Sequence, residues 1–328
     1  MSVGGQRLKK VIGDRLSQVI YGYRTDGRLY RSFDNGYSWQ LVTASPLVDH
    51  FIMSPADPFT LYSAPSLDCI AGDAVDQPFF VSIDGGATFE DRAPIMNLQP
   101  LLAHPLKEDT VWAAGCDGVY LSEDGGRTWQ VRSNAGESAL WRDYTAVEMA
   151  ASYLAGDPQP AEANWDHLYV VAERADGAGI VAYSGDLGDT WGQITPADSQ
   201  TVFYIDALTA DPTVAGRLWL AERLGVWATE DLGNFWGLTN RGLETVTGDD
   251  PAAGSVNLND VVQLPNERLF LAASDGLYTK LTNEAVWQKV TNEMFDLLDV
   301  QSLLFTDSKP GKLWLNTDDG VYTYKIQE

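Results

Sequence analysis

Ser122-Glu123-Asp124-Gly125-Gly126-Arg127-Thr128-Trp129 is one of five stretches in this chain built to a single plan. A Ser or Thr is followed two residues later by Asp, two further on by Gly, and three beyond that by Trp or Phe. The other copies run from Ser32 to Trp39, Ser82 to Phe89, Ser184 to Trp191 and Thr229 to Trp236. An element that recurs every few tens of residues marks a repeat architecture, in which one unit cannot bury its apolar face alone and neighbours stack to do so.

Two further registers count the repeats more fully. An apolar residue followed by an aromatic one occurs at Ile20-Tyr21, Leu61-Tyr62, Val111-Trp112, Leu168-Tyr169, Leu218-Trp219, Leu269-Phe270 and Leu313-Trp314. A second set precedes each turn: Leu29-Tyr30, Phe79-Phe80, Val119-Tyr120, Val181-Ala182, Val226-Trp227, Leu277-Tyr278 and Val321-Tyr322. Two residues beyond its second member stands the Ser or Thr of the turn motif. In the sixth repeat that position is Lys280, with Trp287 still seven residues on. The motif has decayed there, but the spacing has not.

Each unit reads as four short strands. In the third repeat, Leu101 to His104 is apolar and suits an inner strand, and the stretch from Pro105 to Asp109 is a turn. Thr110 to Ala114 is the second strand, the stretch from Gly115 to Gly118 turns into Val119 to Ser122, and Thr128 to Val131 is the fourth. Strands of this length bounded by turn signals, without a sustained helical period, predict an all-β protein. Seven such sheets arranged radially make a seven-bladed β-propeller of four-stranded antiparallel blades, expected here as a single domain over residues 1–328.

The turn motif between third and fourth strands is the Asp-box. Over nearly its whole length the chain resembles the Asp-box propeller superfamily, which includes sialidases, xyloglucanase-type endoglucanases, the sortilin ectodomain and photosystem II assembly factors. The motif has a local physical meaning. The carboxylate accepts backbone N–H groups across the turn, Gly permits a positive φ, and the aromatic residue packs onto the blade. Asp34, Asp84, Asp124, Asp186 and Asp231 are therefore expected to be turn locks, on the face opposite the usual propeller binding site.

With 328 residues, 45% of them apolar, the chain has ample material for a core. No stretch approaches a membrane span, and the first residues carry no apolar run long enough for a signal peptide. The expectation is a cytoplasmic protein or one whose leader is missing from this sequence. The formal net charge of −24 argues against nucleic acid or an anionic membrane surface as partner. It fits either a solvated surface or attraction to a basic partner or metal ions.

Cys69 and Cys116 both fall between the second and third strands of adjacent repeats, so neighbouring loops on one face would carry them. That coincidence sets a disulfide against the alternative of two isolated thiols. A bond would point to an oxidising compartment, as does the Asp-box resemblance, many of whose members are exported. At the ends, Leu8 to Gly13 reads as the inner strand of the first blade and Gly320 to Lys325 as a third strand, with no fourth visible for the last blade. A three-stranded final blade is expected, the alternative being an edge that accepts a strand from another chain.

In propellers the loops entering inner strands and those joining strands two and three cluster at one mouth of the channel. Here they contribute Asp49, His50, Asp143, Tyr144, Tyr204, Asp206, Asn259, Asp260 and Asp299, with Asp117, Glu173, Arg174, Glu222 and Arg223 nearby. The longest departures from the repeat lie there too, among them Arg132 to Thr145, which carries Trp141 and Arg142. Insertions on a scaffold carry function more often than the scaffold does. The candidate binding set is Asp49, His50, Trp141, Arg142, Asp143, Tyr144, Tyr204, Asp206 and Asp260.

The resemblance leaves the activity open. A sialidase needs three clustered arginines, a Tyr–Glu pair and an early Arg-Ile-Pro. That tripeptide is absent, and the arginines are scattered. Xyloglucanase-type enzymes place carboxylates between two propellers, and this chain has one. A glycosidase pair among Asp49, Asp143, Asp206 and Asp260 would still satisfy the need for two carboxyl groups at a suitable separation. His50, His104 and His167 sit in different repeats, which disfavours zinc, and no phosphate loop or nucleophile motif is present, so no cofactor is expected. The reading is a non-catalytic scaffold for a protein partner, in the manner of an assembly factor or complex subunit. The alternative is a carbohydrate-binding or glycoside-hydrolysing propeller.

Overall fold

The computed structural model describes residues 2–3, 6–15, 17–44, 50–67, 69, 77–92, 97–116, 118–132, 144–152, 167–174, 176–195, 202–203, 205–211, 214, 216–222, 225–243, 256–291, 298–307 and 311–326. The chain is all-β, a seven-bladed β-propeller of antiparallel blades in a ring. The inner strands are Gln6–Gly13, His50–Met53, Gln99–Ala103, Thr145–Ala151, Ile205–Ala210, Leu258–Gln263 and Val300–Thr306. Each pairs outward with a second strand, a third and a fourth. In the last blade three strands lie among the described residues, ending with Gly320–Lys325. A short strand at Ser2–Val3 adds to the channel side of the first inner strand.

The second strands are the most deeply buried, and they hold the blades against one another. Their aromatic residues Tyr21, Tyr62, Trp112, Tyr169, Trp219, Phe270 and Trp314 are all 0–3% exposed. Burial of a ring this size contributes about 1.5–3 kcal/mol, but a phenol or indole tip must also find a partner. Tyr21 donates its hydroxyl to the Pro58 carbonyl of the next blade at 2.7 Å. Tyr169 accepts the Gly216 N–H at 3.0 Å. Trp219 donates to Gln263 Oε1 at 2.6 Å, and Gln263 in turn donates to the fully buried Asp211, which also takes Arg217 at 2.9 Å. The Tyr62 hydroxyl and the Trp112 indole N–H find no partner among the described residues.

The five turn motifs share one hydrogen-bond pattern. In the third blade the Ser122 hydroxyl donates to Asp124 Oδ1 and accepts the Gly126 N–H, while Asp124 takes the Thr128 N–H at 2.8 Å and its hydroxyl at 2.7 Å. Asp34 with Ser38, Asp84 with Thr88 and Asp186 with Thr190 repeat it, and Asp231 takes the Phe235 N–H. The Ser38 hydroxyl and N–H hold the Asp34 carboxyl down at about 2. Trp191 and Trp236 of the motif, and Trp287 at the same position of the sixth repeat, donate to the carbonyls of Arg132, Ile194 and Thr239 on the preceding blades, while Trp39 and Trp129 donate to the Gly36 and Gly126 carbonyls of their own turns. In the sixth repeat Lys280 is 3% exposed, with its ammonium 5.3 Å from the Trp219 ring and 5.0 Å from the Trp287 ring. Burial pushes that amine down to about 8.

The ring closes between the last blade and the first without a shared sheet. Asn316 accepts the Val11 N–H at 2.7 Å and donates to the Val11 carbonyl, and Lys312 donates to the Asn35 carbonyl at 2.8 Å. The Trp314 ring lies under Gly36, where a Cβ would come within 2.2 Å of it at a φ of 79°. Only glycine admits both the contact and the conformation.

The orphaned and partnered indoles make a matched pair for experiment. Trp219→Phe leaves Gln263 Oε1 buried without its donor, so it should cost about 1–3 kcal/mol more than Trp112→Phe, which removes no hydrogen bond. Urea unfolding of the two variants checks this; equal losses would mean that the Gln263 bond contributes nothing.

Candidate functional site

Six of the seven inner strands slip register at the same place: between Leu8 and Lys10, Pro100 and Leu102, Ala146 and Glu148, Ile205 and Ala207, Leu258 and Asp260, and Val300 and Ser302. A bulge at a sheet edge re-aims side chains. Around the ring, the inner strands put two kinds of residue on the channel wall. The first, second, third and last blades contribute Val11, Ile12, Phe51, Ile52, Leu101, Leu102, Leu303 and Leu304, which line an apolar cavity of about 360 Å³. The fourth, fifth and sixth contribute Glu148, Asp206 and Asp260.

Glu148 and Asp260 are bound to the neighbouring inner strands. Glu148 Oε2 accepts the Leu208 N–H at 2.9 Å, and Asp260 Oδ2 accepts the Leu303 N–H at 2.7 Å. Both residues are half-buried. Burial, then Asp260, raises Glu148 to about 8, and burial raises Asp260 to about 6 against the pull of the Leu303 N–H, the Val261 N–H and Lys10. Asp206 stands on its bulge with its carboxyl open to the channel mouth. Enclosure, then Glu173 and Glu222, lifts it to about 6. Burial also raises Glu173, which accepts the Ile205 N–H at 3.1 Å. Glu222 is buried and takes the Trp227 indole N–H at 2.8 Å.

Val147, Glu148, Glu173, Ile205 and Asp206 enclose a pocket of about 340 Å³. Val147 and Glu173 also belong to a neighbouring groove of about 410 Å³, lined by His50, Ser66, Leu67, Cys69, Gln99, Thr145, Ala146 and Arg174. His50 Nε2 lies 3.3 Å from the Ser66 hydroxyl, and Arg174 stacks over the Tyr144 ring at 5.7 Å while pairing with Asp176. A disulfide between Cys69, which lines the groove, and Cys116 joins the second and third blades with a Cα–Cα distance of 5.3 Å.

The structure thus brings His50, Tyr144, Asp206 and Asp260 to the channel and its mouth, with Glu173, Arg174 and Glu222 beside them. Asp49, Trp141, Arg142, Asp143, Tyr204, Asp117 and Arg223 lie outside the described residues. Glu148, Gln99, Ser66 and Thr145 were missed by sequence reasoning. Glu148 carried a signal, being the lone charge in the inner strand Thr145–Ala151. The remaining histidines serve the scaffold. His104 Nδ1 accepts the Leu106 and Lys107 N–H groups at 3.0 Å, burial and then Lys107 push it down to about 4, and His167 Nδ1 meets the Tyr183 hydroxyl at 2.7 Å. Among the described residues no three His, Cys, Asp or Glu side chains are placed to hold a metal ion, and no helix is long and apolar enough to cross a membrane.

This arrangement is that of a seven-bladed propeller whose turn motifs resemble those of the Asp-box superfamily. A xyloglucanase from a Paenibacillus species is 28% identical over 214 residues, which is 62% of this chain and 18% of that protein. The structure of YCF48 bound to D1 peptide superposes with a TM-score of 0.66 at 14% identity, covering 98% of this chain and 95% of that one. The GH74 xyloglucanase from Xanthomonas campestris gives 0.67 at 16% identity, covering 98% of this chain and 52% of that one. The chain spans less than a fifth of the length of the curated relatives it matches. No protein-family model matches it.

Two outcomes follow from the site. Glu148 holds its proton to a higher pH folded than unfolded, where its value is about 4.3. The stability it contributes is therefore complete at low pH and lost as pH rises toward 8. Glu148→Gln should gain on the wild type across that window and level off above it, as read by melting temperature against pH; a constant difference would contradict the raised value. Cys69 and Cys116 close a separation of 47 residues, so a Cys69→Ser/Cys116→Ser variant should lose about 2–4 kcal/mol in denaturant unfolding.

Proposed function

We propose that the chain is a non-catalytic binding scaffold that holds a polypeptide partner at the channel mouth, as an assembly factor or subunit of a larger complex. The observation that carries this reading is the commitment of Glu148 and Asp260. Each accepts a backbone N–H of a neighbouring inner strand, so two of the acids best placed for a catalytic pair instead tie the ring together. What faces solvent is a broad groove of mixed chemistry between the second and fourth blades. The likeness to a propeller whose structure contains a bound peptide, over nearly the full length of both chains, supports the same reading. The Cys69–Cys116 bond supports a location outside reducing compartments.

Val147, 39% exposed where pocket and groove meet, is the position from which to test it. Immobilised protein should retain one discrete polypeptide from source extracts. Val147→Arg should release it while the melting temperature stays unchanged. The second reading, a glycoside hydrolase or carbohydrate-binding propeller, is favoured by the raised carboxyls of Asp206 and Glu173 inside a groove. Turnover of xyloglucan that Asp206→Asn abolishes would replace the scaffold reading with that one.

A further inference from the structure

The groove and the pocket beside it are confluent, since Val147 and Glu173 line both. Their chemistry changes along the way. From His50 to Thr145 the lining offers neutral hydrogen-bonding groups in Ser66, Gln99 and Thr145, set against Leu67 and Val147. This combination suits an extended main chain, which needs donors and acceptors at intervals and an apolar wall for alternate side chains. The pocket at the far end has three carboxyl groups and no cation among its lining residues. Arg174 lines the groove and not the pocket, and it is engaged by Asp176 and Tyr144.

The three acids differ in what they have left to give. Glu148 and Glu173 each spend one oxygen on a backbone N–H, of Leu208 and of Ile205. Asp206 makes no hydrogen bond or ion pair among the described residues, and its bulge aims it into the cavity. The carboxylates sit around about 340 Å³ of space and are not gathered tightly enough to hold a metal ion. A spread of acceptors around such a volume matches an elongated cation carrying several N–H donors, because a guanidinium or ammonium group on an aliphatic stem can reach separate oxygens while its methylenes lie on Val147 and Ile205.

We infer that this pocket receives the side chain of an arginine or lysine belonging to a polypeptide segment laid along the groove from His50 toward Asp206. The inference rests on the scaffold reading and names what that scaffold recognises. The enclosure that lifts Asp206 and Glu173 supports it, since carboxylates left to repel one another are relieved by a seated cation.

The test uses fluorescein-labelled nonapeptides of Gly and Ser with a single central Arg, Lys, Gln or Glu, measured by fluorescence anisotropy at low salt. The Arg and Lys peptides should bind about tenfold tighter than the Gln peptide. Asp206→Asn/Glu173→Gln should erase that preference with the melting temperature within a few degrees of wild type. The charge-matched pair Glu123→Gln/Glu230→Gln, on exposed turn positions, should retain it. Equal affinity for the Gln and Arg peptides, or equal loss in both double variants, overturns the cation pocket and leaves the scaffold reading standing. No binding by any peptide overturns the pocket as well, and binding of a xyloglucan oligosaccharide in its place overturns the scaffold reading with it.

Discussion

The constraint on which the rest of the molecule depends is the wedge between blades. Seven aromatic residues, one on each second strand, fill the space between neighbouring sheets and are almost wholly removed from water. A four-stranded sheet cannot bury both faces by itself, so each blade is stable only against its neighbours, and the ring must close. Among the six that carry a polar tip, Tyr21, Tyr169 and Trp219 find a partner on the next blade. The Trp219–Gln263–Asp211–Arg217 chain is the most elaborate, and a buried network of this kind fixes relative position more sharply than apolar contact alone.

The turn motifs act on the same interfaces from outside. Their Asp carboxylates lock a tight turn; in the fourth and fifth repeats the Trp that follows donates to a carbonyl of the preceding blade, whereas Trp39 and Trp129 donate to the Gly carbonyl of their own turn. Lys280 shows how far the motif can decay. Its stem and ammonium lie between Trp219 and Trp287, so a cation over two indole faces stands where the other repeats have a hydroxyl. Closure between the last blade and the first uses different means again, with Asn316 and Lys312 bonding to the backbone of the first blade and Trp314 seated beneath Gly36.

Electrostatically the channel is divided. One side is apolar, and the other carries Glu148, Asp206 and Asp260, raised by enclosure and, for Glu148 and Asp206, by neighbouring acids as well. Raised carboxyls in a propeller channel suggest catalysis at first sight. The hydrogen bonds decide differently for two of the three: a carboxylate that accepts the N–H of an adjacent inner strand is part of the wall. Asp206, which lacks such a bond, is the one whose charge remains available to a ligand.

The repeat count, the strand order within a blade and the role of the turn aspartates were legible in the chain. Each is a local pattern: a turn residue's φ, an alternation of two, or an aromatic at fixed spacing is written within a few consecutive positions. Cys69 and Cys116 could be placed on neighbouring loops by the same register, though only the folded chain brings their Cα atoms to 5.3 Å. Glu148 was passed over, because its meaning comes from Leu208 on the next blade, 60 positions away in sequence. Asp260 and Asp206 looked alike as acids near the channel, yet one ties two strands together and the other is open. Sequence determined the blades, since they are built from near neighbours. Tertiary structure decided which carboxylates hold the ring and which face a partner, since that depends on backbone groups contributed by other blades and on how much water the closed channel admits.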